Sequence, residues 1–253
     1  MLSKKVQELL NTLTPDEQKY LSDCFEYLIL EDVVFGYSLM GNKPMSWLIA
    51  PKKFVNIIQR LNSSFPNYTF LKADNPCTDN TLLVFINKKN LQETFNIYRA
   101  DFELVLNKKL NEQDLFAAIN KQAFLTGFLK SHNGLIGTLL GYGRDNAWQF
   151  HELTQKGVLP GTIMDHFCCF SEKIKIFTLV IKNSVGIKKS FFSLLSLPNF
   201  CVDSSSIETK QLQKEYKQCR KRLLKYYKTN PFLAGTLEIL TNNSRKTSIK
   251  LDS

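Results

Sequence analysis

Histidine is scarce, at three in 253 residues, and tryptophan scarcer still, at two. So few imidazoles leave little for acid–base chemistry beyond carboxylates. The six cysteines, Cys24, Cys77, Cys168, Cys169, Cys201 and Cys219, contain no C-x-x-C pair. They are too sparse for a small disulfide scaffold and read as reduced, mostly buried thiols, although an even count is compatible with bridges. Long apolar runs are missing too. The longest stretches without a charge, 131–143 and 190–202, fall short of the roughly 18 to 20 apolar residues that a bilayer-crossing helix needs. Residues 1–10 are interrupted by Lys4, Lys5, Gln7 and Glu8, so no signal-peptide core is written there. These absences predict a cytoplasmic protein whose membrane contact, if any, is peripheral, and they leave room for export by a route without an N-terminal signal.

What is present suits a folded domain. Hydrophobic residues make up 43% of the chain and charged ones 22%, enough to fill a core and too little charge for disorder. No internal repeat, low-complexity tract or linker stands out. The expectation is therefore one α+β domain over 1–253, with a seam near 131 as the alternative and a polar tail over 242–253.

The elements follow from local signals. Thr14-Pro15-Asp16-Glu17 is a capping box that opens a helix running to about Glu31. Residues 33–40 read as a strand, 41–44 as a turn and 45–50 as its hairpin partner. A helix over 51–61 and strands over 68–72 and 82–87 follow. Two antiparallel helices fit 90–131, split near 109–111. Strands are expected over 174–182 and 190–195, a long helix over 205–228 and a short one over 232–240. The fold class is thus α+β, with a mixed or antiparallel sheet, several packed helices and a long basic C-terminal helix.

Charge is distributed unevenly. Residues 1–127 hold 14 Lys+Arg and 14 Asp+Glu, whereas 128–253 hold 19 and 9, so the whole net charge of +10 lies in the second half. Lysine outnumbers arginine 27 to 6, a bias that an AT-rich genome also produces. Position is more informative than number. In the long C-terminal helix, Leu212, Tyr216, Cys219 and Leu223 recur at helical spacing. Lys210, Lys214, Lys217, Lys221, Lys225 and Lys228 recur on another face, with Arg220 and Arg222 alongside. One face can dock while the other meets an anionic surface; the same layout also describes a merely solvated face. Lys210, Lys214, Lys217, Arg220, Lys221, Arg222 and Lys225 are the candidate contacts.

A second candidate is the stretch 132–146, which holds Gly134, Gly137, Gly141 and Gly143. Glycine at this density serves positive φ, close packing or backbone approach to a ligand. Asp145 is positioned to cap a following helix that ends at Gly157, which places Gly141, Gly143 and Arg144 at a helix N-terminus suited to an anion. His151 and Glu152 lie near in sequence. The same glycine spacing equally lets a helix lie tight against a neighbour.

Other motifs fall short. Gly36 to Lys43 has the glycine and lysine of a phosphate-binding loop, but Asn42 intrudes and Pro44 stands where a hydroxyl should bind magnesium. His151-Glu152 begins a zinc motif, but Gln155 takes the place of the second histidine. Asp165, His166 and Cys168 adjoin in sequence, an arrangement that rarely makes a catalytic dyad. No catalytic residue, metal or cofactor is predicted.

Three segments carry a resemblance: 35–44 (FGYSLMGNKP), 139–147 (LLGYGRDNA) and 197–203 (LPNFCVD), together with Glu208-Thr209. They resemble uncharacterised proteins of intracellular bacteria, among them chlamydiae and legionellae. The resemblance implies a bacterial source and makes a host-interaction role conceivable, with no activity or catalytic residue to transfer. The chain is therefore expected to act by binding, its basic helix contacting an acidic protein, lipid headgroups or nucleic acid. The alternative is an enzyme or ligand binder in which Arg144 clamps an anionic substrate and His151 or Glu152 assists. A third option is a subunit of a larger assembly.

Overall fold

The computed structural model describes residues 2–30, 34–73, 81–119, 124–157 and 206–242. The strands expected over 174–182 and 190–195, the Asp165–Cys168 cluster and the polar tail from 243 onward lie outside them. Ser3 caps α1 (Lys4–Asn11) by accepting from the Val6 N–H. The Thr14 capping box then forms as its spacing predicts. The Thr14 N–H donates to the Glu17 carboxylate at 3.0 Å and the Glu17 N–H to the Thr14 hydroxyl at 3.2 Å, starting α2 (Pro15–Leu30).

Residues 33–40 were expected as a strand; instead α3 (Phe35–Met40) is a helix in which Phe35, Gly36, Tyr37, Ser38 and Leu39 are all buried. A run covered on every side loses the periodicity that separates helix from strand. Its one informative residue is Gly36, where a Cβ would come within 3.0 Å of Leu223 Cδ1. The expected hairpin is accordingly absent.

Strand β1 (Met45–Ala50) leads to α4 (Lys52–Leu61), β2 (Tyr68–Ala73) and β3 (Thr81–Asn87). The sheet is antiparallel in the order β1-β3-β2, with Met45 opposite Ile86 and Tyr68 opposite Asn87. Central β3 is apolar at every position from Leu82 to Ile86 because both faces are covered. Leu83 and Phe85 face one apolar cluster, with Leu48 and Phe70; Leu82, Val84 and Ile86 face the other, with Met45 and Trp47. The Phe85 ring lies 4.7 Å from both Phe35 and Phe70 and stacks on Tyr68 at 5.5 Å. Full burial of each such ring contributes about 1.5–3 kcal/mol.

The two helices expected over 90–131 are three, followed by a π-helical turn over Phe124–Phe128: α5 (Lys88–Ile97), α6 (Arg99–Leu106) and α7 (Glu112–Ile119). The unpredicted break at Tyr98 has a packing reason. In one continuous helix Phe95 and Phe102 would be separated by a rise of ~10 Å; with the break their rings meet edge to face at 5.3 Å. The predicted split near 109–111 exists: Asn107 closes α6 in the left-handed region at φ 50°, and Asn111 and Asp114 cap each other at the start of α7.

Helices α8 (Asn133–Leu139) and α9 (Arg144–Gln155) pack on each other, and α10 (Ile207–Tyr227) and α11 (Phe232–Thr241) close the described chain. Helices α1 to α4, α10 and α11 supply one apolar cluster, and α5 to α8 the other. The core divides along the sheet, and Leu129 and Leu135, on either side of residue 131, belong to the same cluster.

Candidate anion-binding surface

Helix α10 is built from good helix formers, and Ser206 caps it by accepting from the Thr209 N–H at 3.0 Å. Ser206 is the last of three consecutive serines. One side of the helix docks. Thr209, Tyr216, Cys219, Leu223 and Tyr227 are buried; the Tyr216 hydroxyl donates to the Gly141 carbonyl, and Tyr227 bonds Thr236 of α11 at 2.8 Å. Burial pushes the Cys219 thiol up to about 11, so this cysteine is a packed thiol and not a nucleophile.

The opposite side carries the lysines. Lys210, Lys214, Lys217, Lys221, Lys225 and Lys228 are all exposed. At about 100° per residue they fall within an arc of roughly 80°, and they extend ~27 Å along the axis. Among the described residues no carboxylate makes an ion pair with any of them. The two glutamates of the helix are engaged elsewhere. Glu215 accepts from Gln211 at 3.2 Å, and Glu208 points to α9. Lys210, Gln213, Lys214, Lys217, Gln218 and Lys221 form one open patch on this face of the helix.

The two arginines stand apart from the row, each about 100° or so round the helix from its centre. Both are half-buried. Arg222 donates to the Met40 carbonyl at 3.3 Å and bonds the Cys219 thiol, and Arg220 lies beside Tyr37. They belong to the docked flanks, and the exposed row is lysine alone.

At the glycine-rich stretch, close packing and positive φ account for the glycines. A Cβ on Gly137 would meet the Ala147 Cβ at 2.8 Å, which fixes the tight contact of α8 with α9. Gly141 sits at φ 73° against Tyr216 and Lys43, whose side chain is buried with its ammonium 5.0 Å from the Tyr142 ring. Gly143 is the residue before α9 and has φ 88°, ψ 150°, a region only glycine occupies readily. Asp145, expected as the cap, lies two residues past it, within the first turn.

The anion at this helix start is the protein's own. The Glu208 carboxylate accepts from the Arg144 N–H at 2.7 Å and the Asp145 N–H at 3.0 Å. A Cβ on Gly143 would lie 2.5 Å from Glu208 Oε2. Because Glu208 is also in the first turn of α10, one carboxylate serves the positive ends of two helices. Thr209 and Asn146 join the same two turns at 3.1 Å. The Arg144 side chain is occupied as well. It forms a fork on Asp101, Nε and Nη2 each at 3.0 Å, adds Asp145 at 3.3 Å, and lies over the Trp148 ring at 5.1 Å.

His151 packs against His132, with ring centres 3.9 Å apart and the planes tilted by 33°. His132 Nδ1 accepts from the Leu135 N–H and so caps α8. Burial, with His151 second, lowers the His132 pKa to about 4, and burial lowers His151 too. Glu152 is exposed and reaches Lys156 at 3.8 Å. His151 and Glu152 sit about two turns along α9 from Arg144. Among the described residues no three His, Cys, Asp or Glu side chains group to hold a metal, and no helix is long and apolar enough to cross a membrane.

Sequence reasoning missed Asp101 and Glu208, the partners of Arg144. They lie 43 and 64 residues from it, too far for a local pattern to join them. No family model, no curated protein and no solved structure matches the chain, so function is read from its own residues.

Proposed function

We propose that this protein acts by binding, and that the exposed lysine row of α10 is its contact with an anionic macromolecular surface. The observation that carries the reading is six exposed lysines in one narrow arc without a neutralising carboxylate among the described residues. Five successive pairs stand three or four residues apart, and each like-charged pair costs an isolated helix about 0.2–0.5 kcal/mol. The docked face of the helix, with Tyr216, Cys219, Leu223 and Tyr227, supplies the packing that tolerates this repulsion. A polyanion relieves it. The contrast with Arg144 supports the reading: that cation already has its carboxylates, whereas the lysines have none among the described residues.

Heparin chromatography tests it. The wild-type chain is expected to be retained and to elute only at raised salt, because exposed charge pairs are screened within a Debye length of about 8 Å at physiological ionic strength. A variant with Lys214→Gln, Lys217→Gln, Lys221→Gln and Lys225→Gln is expected to elute near the void. Equal retention of both proteins contradicts the proposal.

A further inference from the structure

We infer that the polyanion is duplex nucleic acid, held by its phosphate backbone without regard to sequence. The inference rests on the binding role proposed for α10 and names its ligand. Three features of the helix select it. First, the row is linear, and the exposed amides of Gln213 and Gln218 stand among Lys210, Lys214, Lys217 and Lys221 in one open patch. A straight row matches a rod-like anion, and glutamine offers both donor and acceptor to sugar and phosphate oxygens. Second, the residues that would insert into lipid are unavailable. Tyr216, Leu223 and Tyr227 are turned into the core, which leaves Ile207 in the first turn as the one strongly exposed large apolar side chain of the helix, too little for the apolar face of an interfacial helix. Third, the same burial removes the aromatic platforms on which single-stranded bases stack.

Charge density points the same way. Six lysines over ~27 Å stand ~5.4 Å apart on average, against one phosphate per 3.4 Å or so of each duplex strand. An acidic protein surface seldom sustains such a density, and exposed ion pairs add little each. Duplex phosphates instead carry a condensed counterion layer whose release drives binding. Lysine without arginine on the exposed row means point charges without the bidentate fork that reads guanine, so phosphate contact without base readout is the expected mode.

The test is fluorescence anisotropy with the full-length chain and labelled 20-base-pair DNA duplexes of two unrelated sequences, from about 50 to 200 mM salt. Duplex RNA, a single strand, phosphatidylserine vesicles and polyglutamate serve as competitors. Both duplexes are expected to bind with equal affinity. Changing Lys214, Lys217, Lys221 and Lys225 to Gln is expected to reduce the slope of log affinity against log salt by about 3–4, at 0.9 or so per lost phosphate contact. An unchanged melting temperature shows that this variant is folded, and a single Lys217→Gln change, with a slope loss near 1, serves as the milder check. Lysine-dependent binding that prefers vesicles, polyglutamate or single strands overturns the duplex assignment and leaves the anionic-surface role standing. Binding that ignores the four lysines, or no binding to any of these anions, overturns both.

Discussion

The row on α10 and the corner around Arg144 are both places where positive groups gather, and they differ in what answers the charge. At the corner, Arg144 meets Asp101 through two 3.0 Å bonds, and two backbone N–H groups meet Glu208. Along the row, six lysines meet no carboxylate among the described residues. A satisfied cluster holds a fold together; an unsatisfied, exposed one is available to another molecule. The difference is sharpest because Glu208 stands in the first turn of the same helix that carries the lysines, yet is directed away from them.

The largest stability effect is expected where the corner has least tolerance. Gly143→Ala forces an L-residue into φ 88°, ψ 150° and drives its Cβ towards Glu208. Strain of this kind costs about 1–3 kcal/mol, or a melting-temperature loss of several degrees at about 2–4 °C per kcal/mol. A melting curve equal to wild type would break the comparison at once. Next comes Glu208→Ala, which uncaps the start of α9 and is expected to cost about 0.5–2 kcal/mol in a denaturant melt. If this change instead strengthened heparin retention without loss of stability, Glu208 would be a brake on the row and not a brace.

A smaller effect concerns His132. Its folded-state pKa, about 4, lies below its ordinary value of 6.5. The neutral ring is the one that the fold favours, so its contribution is complete above pH 6.5 and is lost as pH falls towards 4. Protonation at Nδ1 also removes the acceptor for the Leu135 N–H. His132→Asn keeps a capping acceptor that does not titrate; its melting temperature should fall less than that of wild type between pH 6.5 and 4.5 or so. Parallel curves would mean that the packed histidines are indifferent to pH. The smallest stability change is expected from the fourfold lysine-to-glutamine variant, whose melt should match or slightly exceed wild type as like charges at i,i+4 disappear.

Legibility in the sequence followed the range of the interactions. The Thr14–Glu17 box and the strands at 45–50, 68–73 and 81–87 depend on neighbours or on a short apolar run between turn residues, and local reading found them. The α3 helix was missed because burial on all sides erased its period. The break at Tyr98 was missed because its reason is a ring contact between Phe95 and Phe102. The lysine row was visible because a helix repeats every 3.6 residues. The glycine-rich stretch was recognisable as an anion-binding helix start, but its occupant was not, since Glu208 comes from 64 residues away.

The most direct measurement is lysine footprinting: acetylation of the full-length chain with and without duplex DNA, read residue by residue by mass spectrometry. Lys4 and Lys109, whose side chains are 91% and 94% exposed, are internal references away from α10. The account predicts that Lys214, Lys217, Lys221 and Lys225 become protected while Lys4 and Lys109 react as before. Protection of the reference lysines in place of the row, or a row that stays fully reactive under saturating duplex, would contradict it.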